Sequence, residues 1–375
     1  MKGEKMKALI LTCNTGQGHN SVAKAINQTI ISHGDDALTV DALSFISERT
    51  SSFISNWFVK LYRYMPKVFD LGYNLAESYP ELFEEGSLIR KFLVSGSDKL
   101  YERIAEEGYD CIICPHAFTG LMATHLRATH PELKATTSFV ATDYTLVPVT
   151  QEIKVDAYFI PDPSLVPSYE KVGIDAGKVY PITGIPVRRE FYSKTDKEEA
   201  KRLLGIPNGY KHLIMMFGSM GCGPMPKFTS EISKTLPQDT IFTVICGTND
   251  SLKKKLDAAY KNSPQIRIEG FVKDISLIMD SADLYVTKPG GLSTSEARIK
   301  KLPMVLFNAV SGCEQTNLEF MIEKGAAIEA KNESQVGELC RSLLCDPDRL
   351  KSMSQVFDDH GIAADEIYEI LKNLS

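Results

Sequence analysis

Short apolar runs recur along the chain, and most end in glycine, proline or hydroxyl residues that lead into a helical pattern. In the first half the runs are 7–12, 38–43, 110–114, 136–141, 157–160 and 179–183. In the second half they are 212–217, 241–246, 266–269, 284–287, 304–307 and 326–329. Runs that are apolar throughout, rather than alternating, fit strands covered on both faces of a parallel sheet. Between them, apolar residues return at helical spacing, as in Val22, Ala25, Ile26, Thr29 and Ile30. Residues 88–105 read as one helix, and 355–374 as a terminal helix able to pack back across a domain boundary. Alternating strands and helices predict the α/β class, with two Rossmann-like parallel-sheet domains facing a central cleft. The boundaries expected are 1–190, 191–354 and the terminal helix 355–375.

Composition narrows the class. A chain of 375 residues is long for one core and agrees with two domains. Hydrophobic residues at 43% and charged residues at 24% are those of a soluble globular protein. No apolar stretch is long enough to predict a membrane-spanning helix, and the charged N-terminus runs straight into a strand instead of a signal sequence. A cytoplasmic location is expected. Net charge is −6 and neither half is basic, which argues against nucleic acid as a partner. The eight cysteines are scattered. Cys111 and Cys114 have CxxC spacing, but strand alternation turns them to opposite faces and no second pair exists, so neither a metal nor a redox centre is expected.

The candidate chemistry lies in the loops. The stretch 287–297 joins a strand, the pair Gly290-Gly291, the hydroxyls of Ser293, Thr294 and Ser295, and Glu296 at the start of a helix. Glycine lets a ligand approach the backbone, and the N–H groups of a helix start favour an anion such as a phosphate. Glu296, placed in the first turn, can accept from two adjacent hydroxyls, as on a ribose. The plainer alternative is a glycine turn with a capping carboxylate. A second such unit spans 13–20, with His19 at the loop–helix junction, where the dipole favours a neutral imidazole. Here the alternative is that His19 packs or caps. His116 and Asp143 also follow strand ends, where open α/β sheets bind ligands. A further glycine loop contains Gly218, Ser219 and Gly221. In 51–79, Phe53, Trp57 and Leu61, like Ile54 and Phe58, are spaced i, i+4, and Lys60, Arg63 and Lys67 are interleaved. Such a helix can lie in a lipid interface or pack on the sheet.

Five runs together carry a family resemblance: Thr-Gly-Gln-Gly-His at 15–19, Ala-Thr-Asp-Tyr at 141–144, Asp-x-Tyr-Phe at 156–159, Thr-Gly-Ile-Pro-Val at 183–187 and Lys-Pro-Gly-Gly…Glu-Ala at 288–297. They resemble the monogalactosyldiacylglycerol synthase and processive diacylglycerol glucosyltransferase family over nearly the whole chain. The resemblance implies a GT-B fold, with the acceptor lipid on the N-terminal domain and the nucleotide sugar on the C-terminal one. By it, Gly290, Gly291, Ser293 and Thr294 would hold the diphosphate, and Glu296 would accept from the ribose. Gly218, Ser219 and Gly221 would flank the phosphates, and the backbone at Phe271-Val272 would read the uracil edge. Glu314, Gln315 and Asn317 would bind sugar hydroxyls. His19 would act as general base in a single inverting displacement, with Asp143 or His116 orienting it or relaying its proton. Trp57, Phe58, Tyr62 and Arg63 are the expected acceptor and membrane contacts. No metal and no cofactor besides the UDP-sugar donor is implied.

Two departures bear on the acceptor and the hexose. The run 144–150 lacks the His and Trp that family members often carry there, and Cys313 precedes Glu314 where Gln-Glu is common. The leading expectation is a UDP-hexose glycosyltransferase acting on diacylglycerol, bound peripherally at the cytoplasmic membrane face. Alternatives are another hydrophobic acceptor (a sterol, polyprenol or small metabolite) and a non-catalytic nucleotide-sugar-binding protein. A Rossmann dehydrogenase is disfavoured, because it has no use for the second glycine–glutamate unit.

Overall fold

The structure, a computed structural model, describes residues 5–13, 17–47, 80–307, 312–357 and 361–374. Trp57, Phe58, Tyr62 and Arg63 lie outside these residues. The chain divides into two compact units, Met1–Arg189 with His360–Ser375, and Glu190–Asp359.

The first unit contains a six-stranded sheet built from β1 (Lys7–Thr12), β2 (Asp36–Asp41), β3 (Cys111–Cys114), β4 (Thr136–Val140), β5 (Ala157–Ile160) and β6 (Val179–Pro181). Its helices are α1 (Gln17–Ser32), α2 (Leu88–Val94), α3 (Ser97–Glu107), α4 (Ala117–Thr129), α5 (Val166–Lys171) and, after the chain has passed through the second unit, the terminal helix described below. The strand order is β2-β1-β3-β4-β5-β6, and every pairing is parallel. β1 is almost wholly apolar, and Ala8, Leu9, Ile10 and Leu11 have no exposed surface. Such a strand is stable only when both faces are covered. Leu9, Leu11, Leu100, Ile112, Leu121 and Phe139 form part of one continuous core.

The second unit has the sheet order β12-β11-β10-β7-β8-β9, again all parallel. The strands are β7 (Lys211–Met216), β8 (Thr240–Ile245), β9 (Ile266–Glu269), β10 (Leu284–Thr287), β11 (Met304–Leu306) and β12 (Ala327–Glu329). Its helices are α6 (Lys197–Leu203), α7 (Met225–Thr235), α8 (Asp250–Tyr260), α9 (Ile275–Ser281), α10 (Gly291–Ile299), α11 (Cys313–Glu323), α12 (Val336–Leu344) and α13 (Pro347–Ser354). Leu213, Met215, Phe217, Phe228, Phe242, Val244, Leu284 and Val286 belong to its core.

Each sheet reverses its winding at one point, between β1 and β3 in the first unit and between β7 and β10 in the second. The connections on either side of such a point leave in opposite directions, which opens a crevice at the carboxyl ends of the strands.

Three expected elements differ from those observed. The strand expected at 38–43 is Asp36–Asp41, because the Asp41 carboxylate accepts from the N–H of Leu43 at 3.1 Å and starts a 3-10 turn. The helix expected over 88–105 is two helices. Gly96 lies between them against another segment, where a Cβ would stand 2.8 Å from the Ile46 nitrogen. The terminal helix α14 begins at Ala363, not at 355 (Ala363–Leu374). Just before it Gly361 is pressed on Thr183, with room for no side chain: a Cβ would lie 2.4 Å from the Thr183 hydroxyl.

α14 is held to the first unit by its apolar face and by one buried acid. Ala363, Ala364, Ile367, Tyr368 and Leu371 are buried, and Tyr368 stacks on His33. Asp35 accepts from Tyr368 Oη (2.9 Å), Lys372 Nζ (2.8 Å) and the Met6 N–H (3.1 Å). Burial works to raise the Asp35 pKa, but these donors prevail and hold it below the ordinary carboxylate value. Asp35→Asn is therefore expected to cost about 1–3 kcal/mol of stability at neutral pH, read as a lowered urea midpoint. A depressed folded pKa stabilises above the unfolded value, so the gap between variant and wild type should close as pH falls below about 4.

Candidate active site

At the reversal point of the first sheet, His19 lies in the first turn of α1 and His116 caps α4 just after β3. Their rings meet edge to face, with centroids 4.4 Å apart. His19 Nδ1 is 2.9 Å from the carbonyl oxygen of Pro115. A carbonyl can only accept, so Nδ1 carries the proton and Nε2 keeps the lone pair of a base. Thr142 Oγ1 stands 3.2 Å from the same Nδ1. His116 Nδ1 accepts from the N–H of Phe118 at 3.1 Å, which leaves its proton on Nε2 in the neutral ring. Burial lowers the pKa of both rings. The Pro115 carbonyl opposes this at His19, and the charge His19 would carry adds to it at His116. Both are neutral at pH 7.

Thus two of the three first-unit residues singled out in the sequence come together. Asp143 is not bonded to His19; the oxygens near its Nδ1 are those of Pro115 and Thr142. Asp143 is half-buried. After burial itself and Tyr158, its charge helps keep the Tyr169 phenol protonated. Pro115 acts through its backbone, which no side-chain pattern reveals. Thr142 was in view as the second residue of Ala-Thr-Asp-Tyr.

In the second unit the reversal point brings together the loops after β7 and β10. Gly290 is the N-cap of α10, with φ −71° and no side-chain cap. The first intrahelical bond at this end runs from the Thr294 N–H to the Gly290 carbonyl. That geometry leaves the N–H groups of Gly291, Leu292 and Ser293 without helical acceptors, an anion site in waiting. Lys288, just before it, forms a short ion pair with Glu314 at the start of α11. One Glu314 oxygen accepts from Lys288 while the other is buried without a hydrogen-bond partner. Lys288 stands inside the Lys-Pro-Gly-Gly run but was not singled out from the sequence; its charge next to two glycines is the signal that could have found it.

Several second-unit side chains serve the loop from within. Thr294 is fully buried, and its hydroxyl turns back to the carbonyls of Gly290 and Gly291, so the helix mouth is formed by its neighbours' N–H groups. Ser293 is half-buried in the first turn of α10, and the Tyr285 hydroxyl donates to the Met216 carbonyl at 3.4 Å, its pKa raised above all by burial. Glu296 is 5% exposed and belongs to the second turn of α10, not the first. Asn317, expected to meet sugar hydroxyls, is buried and donates to the Pro289 carbonyl at 3.0 Å, bracing the turn from behind. Gln315 is exposed and donates to Glu319 on its own helix. Phe271 is 65% exposed in the loop after β9, with Val272 half-buried beside it.

The loop with Gly218, Ser219 and Gly221 is shaped by backbone contact. Gly218 and Gly221 have φ of +68° and +57°. A Cβ on Gly221 would lie 2.0 Å from the Cys246 carbonyl, and one on Gly247 2.1 Å from that of Ser219. The loops after β7 and β8 thus touch backbone to backbone, and the Asn249 amide ties them by donating to the Gly221 carbonyl.

The fold is that of the GT-B glycosyltransferases. The crystal structure of MurG from Acinetobacter baumannii superposes with a TM-score of 0.65 at 11% identity, covering 99% of this chain and 100% of that one. A UDP-N-acetylglucosamine 2-epimerase structure gives 0.61 at 14% identity, covering 99% and 97%. Residues 19–187 match the model of the monogalactosyldiacylglycerol (MGDG) synthase family, and 227–356 that of glycosyl transferases group 1. The processive diacylglycerol beta-glucosyltransferases of Bacillus pumilus and Bacillus subtilis are each 28% identical, the first over 93% of this chain and 89% of its own, the second over 95% and 92%. The chain is a hexosyltransferase, similar over most of its length to the monogalactosyldiacylglycerol synthase and processive diacylglycerol glucosyltransferase family.

Gly221→Ala adds both a left-handed strain and a backbone clash. It should lower stability by more than the ~1–3 kcal/mol of strain alone, read as a drop in thermal midpoint.

Proposed function

We propose that the protein transfers a hexose from a UDP-sugar to the free hydroxyl of diacylglycerol, with inversion at the anomeric carbon. His19 Nε2 takes the acceptor's proton as the oxygen attacks C1. The bond from C1 to the phosphate oxygen breaks, and UDP leaves as the diphosphate anion. An alcohol is a weak nucleophile at pH 7, and a positioned imidazole typically adds ~10²–10⁴-fold to such a step. The N–H groups at the start of α10 and the cation of Lys288 receive the growing negative charge, so no metal is required for it. Glu296 takes the ribose, Glu314 the sugar hydroxyls, and the backbone at Phe271-Val272 the uracil. Gly218, Ser219 and Gly221 shape the loop beside the phosphates.

One observation carries this reading: the Pro115 carbonyl commits the Nδ1 proton of His19, which leaves Nε2 as a free base at a ligand-binding edge. The acceptor is inferred from the names of the Bacillus relatives. Among the described residues no helix is long and apolar enough to cross a membrane. A lipid acceptor calls for contact with a membrane surface, and the contact proposed is peripheral, at the cytoplasmic face. Leu88, Ile89 and Phe92, which α2 leaves exposed, suit that contact.

The test is UDP release from UDP-glucose, UDP-galactose and their N-acetyl forms with diacylglycerol vesicles. The reading fails if none is turned over. His19→Ala should lower kcat by at least about 100-fold while UDP affinity, measured by calorimetry, stays within about threefold.

Because burial lowers the His19 pKa, the base stays unprotonated to below its ordinary value. The acid limb of kcat/KM should accordingly fall below about pH 6.5, with a plateau through pH 7–8. A limb centred above pH 7 would rule out His19 in this environment.

A further inference from the structure

Thr142 has no role in the scheme above, yet among the described residues its hydroxyl is one of two oxygens at the proton-bearing nitrogen of His19. We propose that Thr142 is a positioning residue, which with the Pro115 carbonyl holds the His19 ring as the Nδ1–H tautomer and steadies the imidazolium that forms when Nε2 takes the acceptor's proton. The inference rests on His19 being the base.

The geometry is specific. His19 comes from α1 after β1, Pro115 from the end of β3 and Thr142 from the end of β4, and these three strands belong to one sheet. The Nδ1–H lies 2.9 Å from the Pro115 oxygen and 3.2 Å from Thr142 Oγ1. Because the carbonyl must accept, the hydroxyl must accept as well, and the one proton is shared between two oxygens. Both partners are neutral. A carboxylate in their place would raise the ring's basicity at rest; two dipoles leave the resting ring neutral and strengthen their hold only once it is charged. The titratable group facing His19 from the β3–α4 junction is His116, whose ring meets it edge-on and is itself neutral, with its own Nδ1 committed to the Phe118 N–H. His116 therefore fixes the ring's plane, and Thr142 fixes its rotation about the Nδ1 end.

Thr142→Val keeps the shape and removes the acceptor; Thr142→Ser keeps the acceptor. With diacylglycerol vesicles and UDP-glucose, the valine variant should lose about tenfold in kcat, the worth of one hydrogen bond to a developing charge, with the donor KM changed less than about twofold. Its acid limb should move to lower pH, because the imidazolium has lost a partner. Serine should restore kcat to within about threefold of wild type. The proposal is overturned if valine matches wild type, or if serine is as impaired as valine, which would mean that the methyl group matters and the hydroxyl does not. A measurement without any variant covers the case in which valine misfolds: ¹⁵N spectra of imidazole-labelled wild-type protein at pH 7.5 should show His19 with a protonated Nδ1 and a bare Nε2, and the opposite tautomer would overturn the proposal. If wild type turns over no UDP-sugar, the transferase reading fails, while the spectrum still tests the lock on His19.

Discussion

Parallel pairing is the constraint from which the rest of this structure follows. Strands that run the same way place all their carboxyl ends on one edge, and the helices that return the chain must cover both faces. The polar residues that the apolar strands cannot accommodate are thereby displaced to that edge. Where the winding reverses, two such ends lie side by side with nothing crossing between them. His19 and His116 meet at one reversal, and Gly218–Gly221 and Lys288–Gly291 share the other. Residues far apart in sequence become neighbours because the strand order makes them so.

The two units use opposite electrostatics at these edges. The first is neutral: a second imidazole, a carbonyl and a hydroxyl stand against His19, and burial lowers its pKa. The second gathers positive potential from helix N–H groups and a lysine, with one carboxylate to balance the lysine. Neither arrangement depends on net charge, which is −6 over the chain. They depend on which groups have been removed from water, where a dipole acts over a few ångströms with little screening.

The fold by itself does not choose the reaction. Similar folds occur in MurG and in a UDP-N-acetylglucosamine 2-epimerase. The proposed transfer needs a base held ready for an incoming hydroxyl, and the bonding of one nitrogen of His19 suits that ring to the part. The glycine loops do a different task. At Gly221 and Gly247 they permit a backbone contact that any side chain would block, and so they shape the loops around a ligand.

Much of this was legible in the chain before folding was considered. Twelve strands could be located, the central ones because burial on both faces demands unbroken apolar runs, and most of their ends shift by only a residue or two. Gly290, Gly291 and His19 could be singled out because the strand–glycine loop–helix unit recurs in both halves, although a plain turn or cap accounts for either one alone. The errors have physical causes. The helix over 88–105 is broken by a tertiary contact at Gly96, and the terminal helix starts late because Gly361 must lie against Thr183. Asn317 and Thr294 were singled out as ligand-binding polar residues, and the structure adds a bracing bond for one and a bond to its own helix for the other. Sequence by itself determined the class of fold and the loops that carry chemistry, since both follow from local pattern and backbone freedom. Only the tertiary structure decided which nitrogen of His19 carries the proton, because that depends on a backbone carbonyl and a hydroxyl delivered from two other strands.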